Sequence, residues 1–168
     1  MADKKSLKEV IKLIAQLEEE KSELLSDEQQ NSIITYGKDE EKPESSYNFA
    51  DTRNAVAAVD TKIRYLRHLL HHANSTVVLP QYDNMTIGQC IVYMAQLNNE
   101  KYLLERMARR EPKTRSVKYG GAVDLTETCY SREQCRAVLK KITAKITALQ
   151  LAIDKINLCH EVDVKAVA

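Results

Sequence analysis

Residues 11–24 read Ile-Lys-Leu-Ile-Ala-Gln-Leu-Glu-Glu-Glu-Lys-Ser-Glu-Leu, and residues 91–104 read Ile-Val-Tyr-Met-Ala-Gln-Leu-Asn-Asn-Glu-Lys-Tyr-Leu-Leu. At an offset of 80 residues the two stretches are identical at seven of fourteen positions. The shared residues are Ile11/Ile91, Ala15/Ala95, Gln16/Gln96, Leu17/Leu97, Glu20/Glu100, Lys21/Lys101 and Leu24/Leu104. At an offset of 83 a second set aligns: Tyr36/Tyr119, Gly37/Gly120, Tyr47/Tyr130, Arg53/Arg136, Lys62/Lys145, Ile63/Ile146, Leu66/Leu149 and Asn74/Asn157. Amphipathic helices share Leu, Lys and Glu through composition alone. Composition does not place a Tyr-Gly pair, a later Tyr and a terminal Asn in one collinear order. A three-residue insertion near Pro112 reconciles the offsets. The pattern implies a duplication, with internal repeats at 6–79 and 86–164 inside a single domain spanning 1–168.

Within each repeat the apolar period is helical. Ser6 with Glu9 forms a capping box that opens a helix over 6–25, whose seam is Leu7, Val10, Ile14, Leu17 and Leu24. Residues 33–36 (Ile-Ile-Thr-Tyr) read as a short strand closed by Gly37, and 38–46, polar and broken by Pro43, as an exposed loop. A second helix over 51–73 places Val56, Val59, Ile63, Leu66, Leu70 and Ala73 at heptad spacing. Residues 76–79 form a short strand before Pro80.

Thr86 and Gln89 cap a third helix that runs to 110, with Ile87, Cys90, Met94, Leu97 and Leu104 as its seam and Pro112 as its stop. Residues 115–119 and 123–129 flank Gly120-Gly121 as a hairpin or two extended arms. Ser131 and Gln134 then cap a fourth helix with the seam Leu139, Ile142, Ile146, Leu149, Ile153 and Ile156, and 159–164 suits a last strand. None of these narrow stripes can be buried by its own helix. The expected fold is mostly α: an antiparallel four-helix bundle from two tandem helix–strand–helix–strand repeats, with short β arms at the helix ends.

Several function classes are disfavoured by composition. The 25 Lys and Arg against 24 Asp and Glu leave a net charge of +1, without the basic excess of a general polyanion binder. The opening residues lead into an amphipathic segment, not an apolar signal core, and no window is apolar enough to span a bilayer. No secretory signal and no membrane partner are expected, and the localisation is read as cytoplasmic. Cys90, Cys129, Cys135 and Cys159 lack zinc-like spacing and read as reduced thiols. No Gly-x-Ser-x-Gly, phosphate-binding Gly loop or His-Glu-x-x-His occurs, so neither a catalytic residue nor a cofactor is assigned.

Three constellations remain. His68, His71 and His72 stand at i, i+3 and i+4, spacing that suits a metal, but they fall outside the seam and beside Arg64 and Arg67. An exposed stripe is the favoured reading, and no metal is expected. Gln16, Glu20 and Lys21 recur as Gln96, Glu100 and Lys101, with each Lys at a seam position. Such a polar seam fixes register more often than it binds a ligand.

Charge is also uneven along the chain. Residues 18–44 hold ten acidic and three basic side chains, whereas 101–118 hold seven basic and two acidic. The basic arm 106–119, with Arg106, Arg109, Arg110, Lys113, Arg115 and Tyr119, would bind phosphate or nucleic acid, or else meet an acidic arm of the same or a neighbouring chain. The second is preferred because both signs occur in one chain at related positions.

This layout resembles a family of small bacterial proteins labelled septicolysin-like. The residues that carry the likeness are the opening amphipathic helix, the acidic loop from Gly37 to Pro43, the Asn74-Ser75-Thr76 helix end, the Thr86 cap, the basic arm and the long final helix. That family's Arg-Asp in the third helix has no match at Gln96-Leu97, and its C-terminal Trp is absent. The resemblance implies a bacterial protein of a family without an assigned activity. The function expected is a non-catalytic, self-associating structural or interaction protein with a homo-oligomeric partner; nucleic-acid or phosphate-ligand binding through 106–119 is the alternative.

Overall fold

A computed structural model describes residues 3–164, and the chain is mostly helical. Its elements in order are β1 (Asp3–Ser6), α1 (Leu7–Asn31), α2 (Phe49–Thr76), β2 (Val78–Leu79), a 3-10 turn (Pro80–Tyr82), β3 (Met85–Thr86), α3 (Ile87–Arg109), β4 (Lys113–Val117), β5 (Val123–Glu127), α4 (Arg132–Cys159) and β6 (Glu161–Val164). The strands form three two-stranded antiparallel ladders, β1–β6, β2–β3 and β4–β5. The chain divides into two compact units, residues 3–74 with 156–164, and residues 75–155.

In the first unit α1 and α2 run antiparallel. Val10 and Ile14 of α1 pack with Leu66 of α2, flanked by Leu13, Leu17, Tyr65, Leu69 and Leu70. Farther along α1 the partners on α2 come from progressively earlier in the sequence. Glu18 pairs with Arg67, Lys21 Nζ lies 2.7 Å from Asp60 Oδ1, and Glu28 takes Arg53. The β1–β6 ladder closes one end, with Ser6 opposite Glu161 and Asp3 opposite Val164. It carries Val164 into the same cluster, where only 3% of that side chain stays exposed.

The start of α1 is held by reciprocal bonds. Glu9 N–H donates to Ser6 Oγ at 3.3 Å, and Ser6 N–H donates to Glu9 Oε2 at 2.7 Å. Two orphan amides of the first turn are thereby satisfied. The hydroxyl and amide of Ser6 also hold the Glu9 carboxyl below its ordinary range.

In the second unit the equivalent box forms at Thr86 and Gln89, with N–H···O distances of 2.8 and 3.2 Å. Asp83 and Asn84 turn the chain from the 3-10 turn into β3 with φ of 51° and 55°, a left-handed conformation that Asp and Asn tolerate better than most residues. Ile87 is 1% exposed, Cys90 and Leu79 are fully buried, and Leu97, Ile142, Leu149 and Ile153 are buried along α3 and α4. Gly120 and Gly121, with φ of 101° and 86°, make the turn between β4 and β5, where a Cβ would be strained. At α4 only half of the expected cap forms: Gln134 N–H reaches Ser131 Oγ at 3.4 Å, but that hydroxyl donates to Glu133.

Two sequence expectations need correction. Residues 33–36 form no strand: Ile33 is 74% exposed, nothing pairs with the segment, and Glu40 N–H turns back to Gly37 O at 3.1 Å. Pro43, lacking a donor, sits where a returning strand would have to bond. Conversely β1 and β3 are strands that no apolar alternation marks: β1 is recruited by β6, far along the chain, and β3 by β2 across the 3-10 turn.

Leu66→Ala should destabilise the protein by about 2–5 kcal/mol through transfer and cavity terms, and Ser6→Ala by about 1 kcal/mol through loss of a cap. Urea unfolding followed by far-UV circular dichroism checks both, and equal effects would contradict the burial order.

Candidate functional site

The basic arm becomes a defined ribbon. β4 and β5 pair in register from Lys113 opposite Glu127 to Val117 opposite Val123. Alternation sorts the side chains into two faces. One face carries the pairs Lys113/Glu127, Arg115/Leu125 and Val117/Val123, and the other Thr114/Thr126 and Ser116/Asp124. The apolar residues of the first face are uncovered: Val117 is 67% exposed and Leu125 59%, and Tyr119 is wholly exposed at the tip.

The ribbon's base is fixed to α3. Thr128 N–H donates to Pro112 O at 2.9 Å, Tyr130 Oη donates to Met107 O at 3.1 Å, and Arg132 Nε donates to Ala108 O at 3.3 Å. The bond from Arg132 satisfies the Ala108 carbonyl at the end of α3, and Met107 O accepts from Tyr130 as well as from the Arg110 amide. A cation at that end also suits the helix dipole.

Pairing inside the ribbon reduces its positive charge. Lys113 bonds to Glu127 across the strands, and Lys118 Nζ lies 2.6 Å from Asp124 Oδ2. Arg106 lies over the Tyr102 ring at 5.8 Å on α3. Among the described residues Arg109, Arg110 and Arg115 are exposed and take part in no ion pair. Of the six residues read as a phosphate arm, the structure leaves three cations and Tyr119 available, spread from a helix end to a ribbon tip.

The polar seam is not assembled as a cluster. Gln16, Glu20, Gln96 and Glu100 are exposed, and only Lys21 and Lys101 are half-buried. Lys21 finds Asp60 of α2, a partner one helix away that spacing on α1 does not reveal. Such a half-exposed pair adds little stability, though it ties α1 to α2 in one register. His68, His71 and His72 are exposed on α2, and among the described residues no group of three or more His, Cys, Asp or Glu could hold a metal.

Sequence reading missed a surface groove of about 670 Å³ along α4, lined by Leu139, Thr143, Ala144, Thr147, Ala148 and Leu151 with Arg136 and Lys140 at its rim. Ala148 also borders a smaller cleft of about 300 Å³ with Tyr82, Met85, Tyr93 and Lys145. The i, i+4 recurrence of Leu139, Thr143, Thr147 and Leu151 was present in the sequence, but the stronger Ile/Leu seam beside it masked it. In the first unit a polar cleft of about 350 Å³ lies near Asp27, Glu28, Tyr47 and Asp51, with Glu28 already bonded to Arg53 and Tyr47.

A crystal structure of a functionally unknown conserved protein from Corynebacterium diphtheriae is similar in fold, with a TM-score of 0.68 over 96% of this chain and 100% of that one at 15% identity. No protein-family model and no curated protein matches the chain, so the septicolysin-like resemblance rests on the layout alone. Among the described residues no helix is long and apolar enough to cross a membrane.

The four cysteines divide by environment. Cys90 and Cys135 are buried, and burial pushes the Cys90 thiol above its ordinary range; Cys129 and Cys159 are exposed. A thiol titration with Ellman's reagent should therefore count two reactive groups in the native protein and four in denaturant, the buried pair reacting at least about tenfold more slowly.

Proposed function

We propose that the chain is a non-catalytic, self-associating interaction protein, built from two copies of one repeat of which the second carries the contact surface. The register of the ladders supports the repeat. At the offsets of 80 and 83 residues, Ser6 opposite Glu161 corresponds to Thr86 opposite Val78, and Lys5 opposite Val162 to Met85 opposite Leu79. The bond from Leu7 N–H to His160 O at 3.1 Å likewise corresponds to that from Ile87 N–H to Val77 O at 3.0 Å. Unrelated segments would have no reason to share pairing partners, register and cap.

The observation that carries self-association is a difference between the repeats. On the outer face of α1 stand Lys12, Glu18, Glu19, Ser22 and Glu23; at the matching exposed positions of α3 stand Val92, Asn98, Asn99, Tyr102 and Leu103. Asp60, Arg64 and His68 of α2 likewise give way to Thr143, Thr147 and Leu151 of α4, all three exposed. At these positions of the second repeat charge is absent, and Val92, Tyr102, Leu103 and Leu151 put large apolar groups on the outside. Isolated exposed apolar residues are ordinary, whereas a charge-free stripe over successive turns is the composition of an interface.

Phosphate binding through Arg109, Arg110 and Arg115 is the weaker reading, because Lys113 and Lys118 are already paired within the ribbon. Light scattering at physiological salt should find a homo-oligomer. Val92→Lys with Leu103→Glu, which restores the character of the first repeat, should raise its dissociation constant by about tenfold or more without loss of helicity. A wild-type protein that is strictly monomeric at micromolar concentration overturns the reading.

A further inference from the structure

The β4–β5 ribbon is the one ladder whose strands carry no buried residue. β2 and β3 hold Leu79 fully buried, and β1 and β6 hold Val164 in a core. Val117, Val123 and Leu125 are all exposed, and a lone two-stranded ribbon is marginal in water. In the first repeat the matching positions of Val123, Leu125 and Thr126 are Glu40, Lys42 and Pro43, and no ribbon forms there. The second repeat has thus gained strand-forming, apolar residues on an element that its own unit leaves bare. Both outer edges of the ribbon also offer unpaired backbone groups.

The two edges are not equivalent. A strand that pairs with its own copy runs antiparallel about its central residue. For β4 the central residue is Arg115, so that two guanidinium groups, neither holding an ion-pair partner among the described residues, would face each other. Like charges directly opposite are destabilising. For β5 the central residue is Leu125: Leu125 meets Leu125 of the second copy, Val123 meets Glu127, and Asp124 meets Thr126. No like charges oppose, and the acids of β5 are already neutralised by Lys113 and Lys118. Pairing of β4 with β5 of another copy would leave an edge free at each end and would not close.

We infer that two copies of this chain associate by antiparallel edge-to-edge pairing of β5 with β5, forming a four-stranded sheet in the order β4–β5–β5–β4 with Leu125 on the two-fold axis. The sheet sets Val117, Val123 and Leu125 of both ribbons on one face, interleaved with the Lys113–Glu127 pairs and flanked by Arg115. This mode of contact rests on the self-association proposed above and specifies one of its surfaces.

Residues opposite each other in an antiparallel pair have Cα atoms roughly 4.5–5.5 Å apart, within disulfide range. The test uses the full chain with Cys129→Ser and Cys159→Ser, adding Leu125→Cys or, separately, Arg115→Cys. Under mild oxidation Leu125→Cys should give a reducible covalent dimer at least about tenfold faster than Arg115→Cys. In the parent without added cysteine, Leu125→Lys should weaken the dimer by about tenfold or more, whereas Arg115→Glu should not. A dimer in light scattering that Leu125→Cys does not trap overturns the β5 pairing and leaves self-association standing. Trapping at Arg115→Cys instead of Leu125→Cys overturns the choice of edge. A parent protein that is monomeric throughout overturns both.

Discussion

The structure depends on covering a narrow apolar seam. Of the 25 residues of α1 only Leu7, Val10 and Ile14 are buried, all in its first third. A stripe of that width holds no helix by itself, since isolated helices gain too little from their own hydrogen bonds. Its cover comes from Leu66 on α2 and from Val164, a residue more than 150 positions away that β6 delivers beside β1. The strand ladders are small, yet they set where the helices begin. Ser6 is at once the last residue of β1 and the cap of α1, and Thr86 does the same for β3 and α3.

Because the cores are thin, surface chemistry differs between the units in a telling way. Three ion pairs cross between neighbouring helices of the first unit: Glu18 with Arg67, Lys21 with Asp60 and Glu28 with Arg53. Each exposed pair contributes little, but together they align α1 with α2. In the second unit four of the six corresponding positions are neutral, Asn98, Ala108, Thr143 and Gln150 beside the charged Lys101 and Arg136, and the ion pairs among its described residues are those of the β4–β5 ribbon and of Arg132 with Glu111. Three cross-helix pairs tie α1 to α2 in the first unit, and Val92, Tyr102, Leu103 and Leu151 of the second face outward.

The seams were legible with little error. Val56, Val59, Ile63, Leu66 and Ala73 are buried on α2, and Ile142, Leu149 and Ile153 on α4. Both capping boxes at α1 and α3 formed as read, because all their parts lie within four residues. The Gly120-Gly121 turn was equally local, since positive φ at two successive residues is written in residue type. Helix ends were read less well: α2 starts at Phe49 because Asn48 Oδ1 accepts from the amides of Ala50 and Asp51, and α1 runs on to Asn31. Of the polar seam, Lys21 reaches Asp60 of α2, while Gln16 and Glu20 face water because the apolar stripe of α1 takes the other side.

The sequence by itself determined the helices, their buried faces, the caps and the glycine turn, for these follow from periods of three to four residues and from the conformational limits of single side chains. Only the tertiary structure decided that residues 3–6 and 85–86 are strands while 33–36 are not. It also decided that Lys21 belongs to Asp60, and that the basic arm is a ribbon with its lysines paired and Val117, Val123 and Leu125 exposed. A strand exists only when a partner lies alongside it, and an ion pair only when two helices have packed. β1 and β6 lie at opposite ends of the described chain and Lys21 and Asp60 on different helices, so neither pairing leaves a periodic trace.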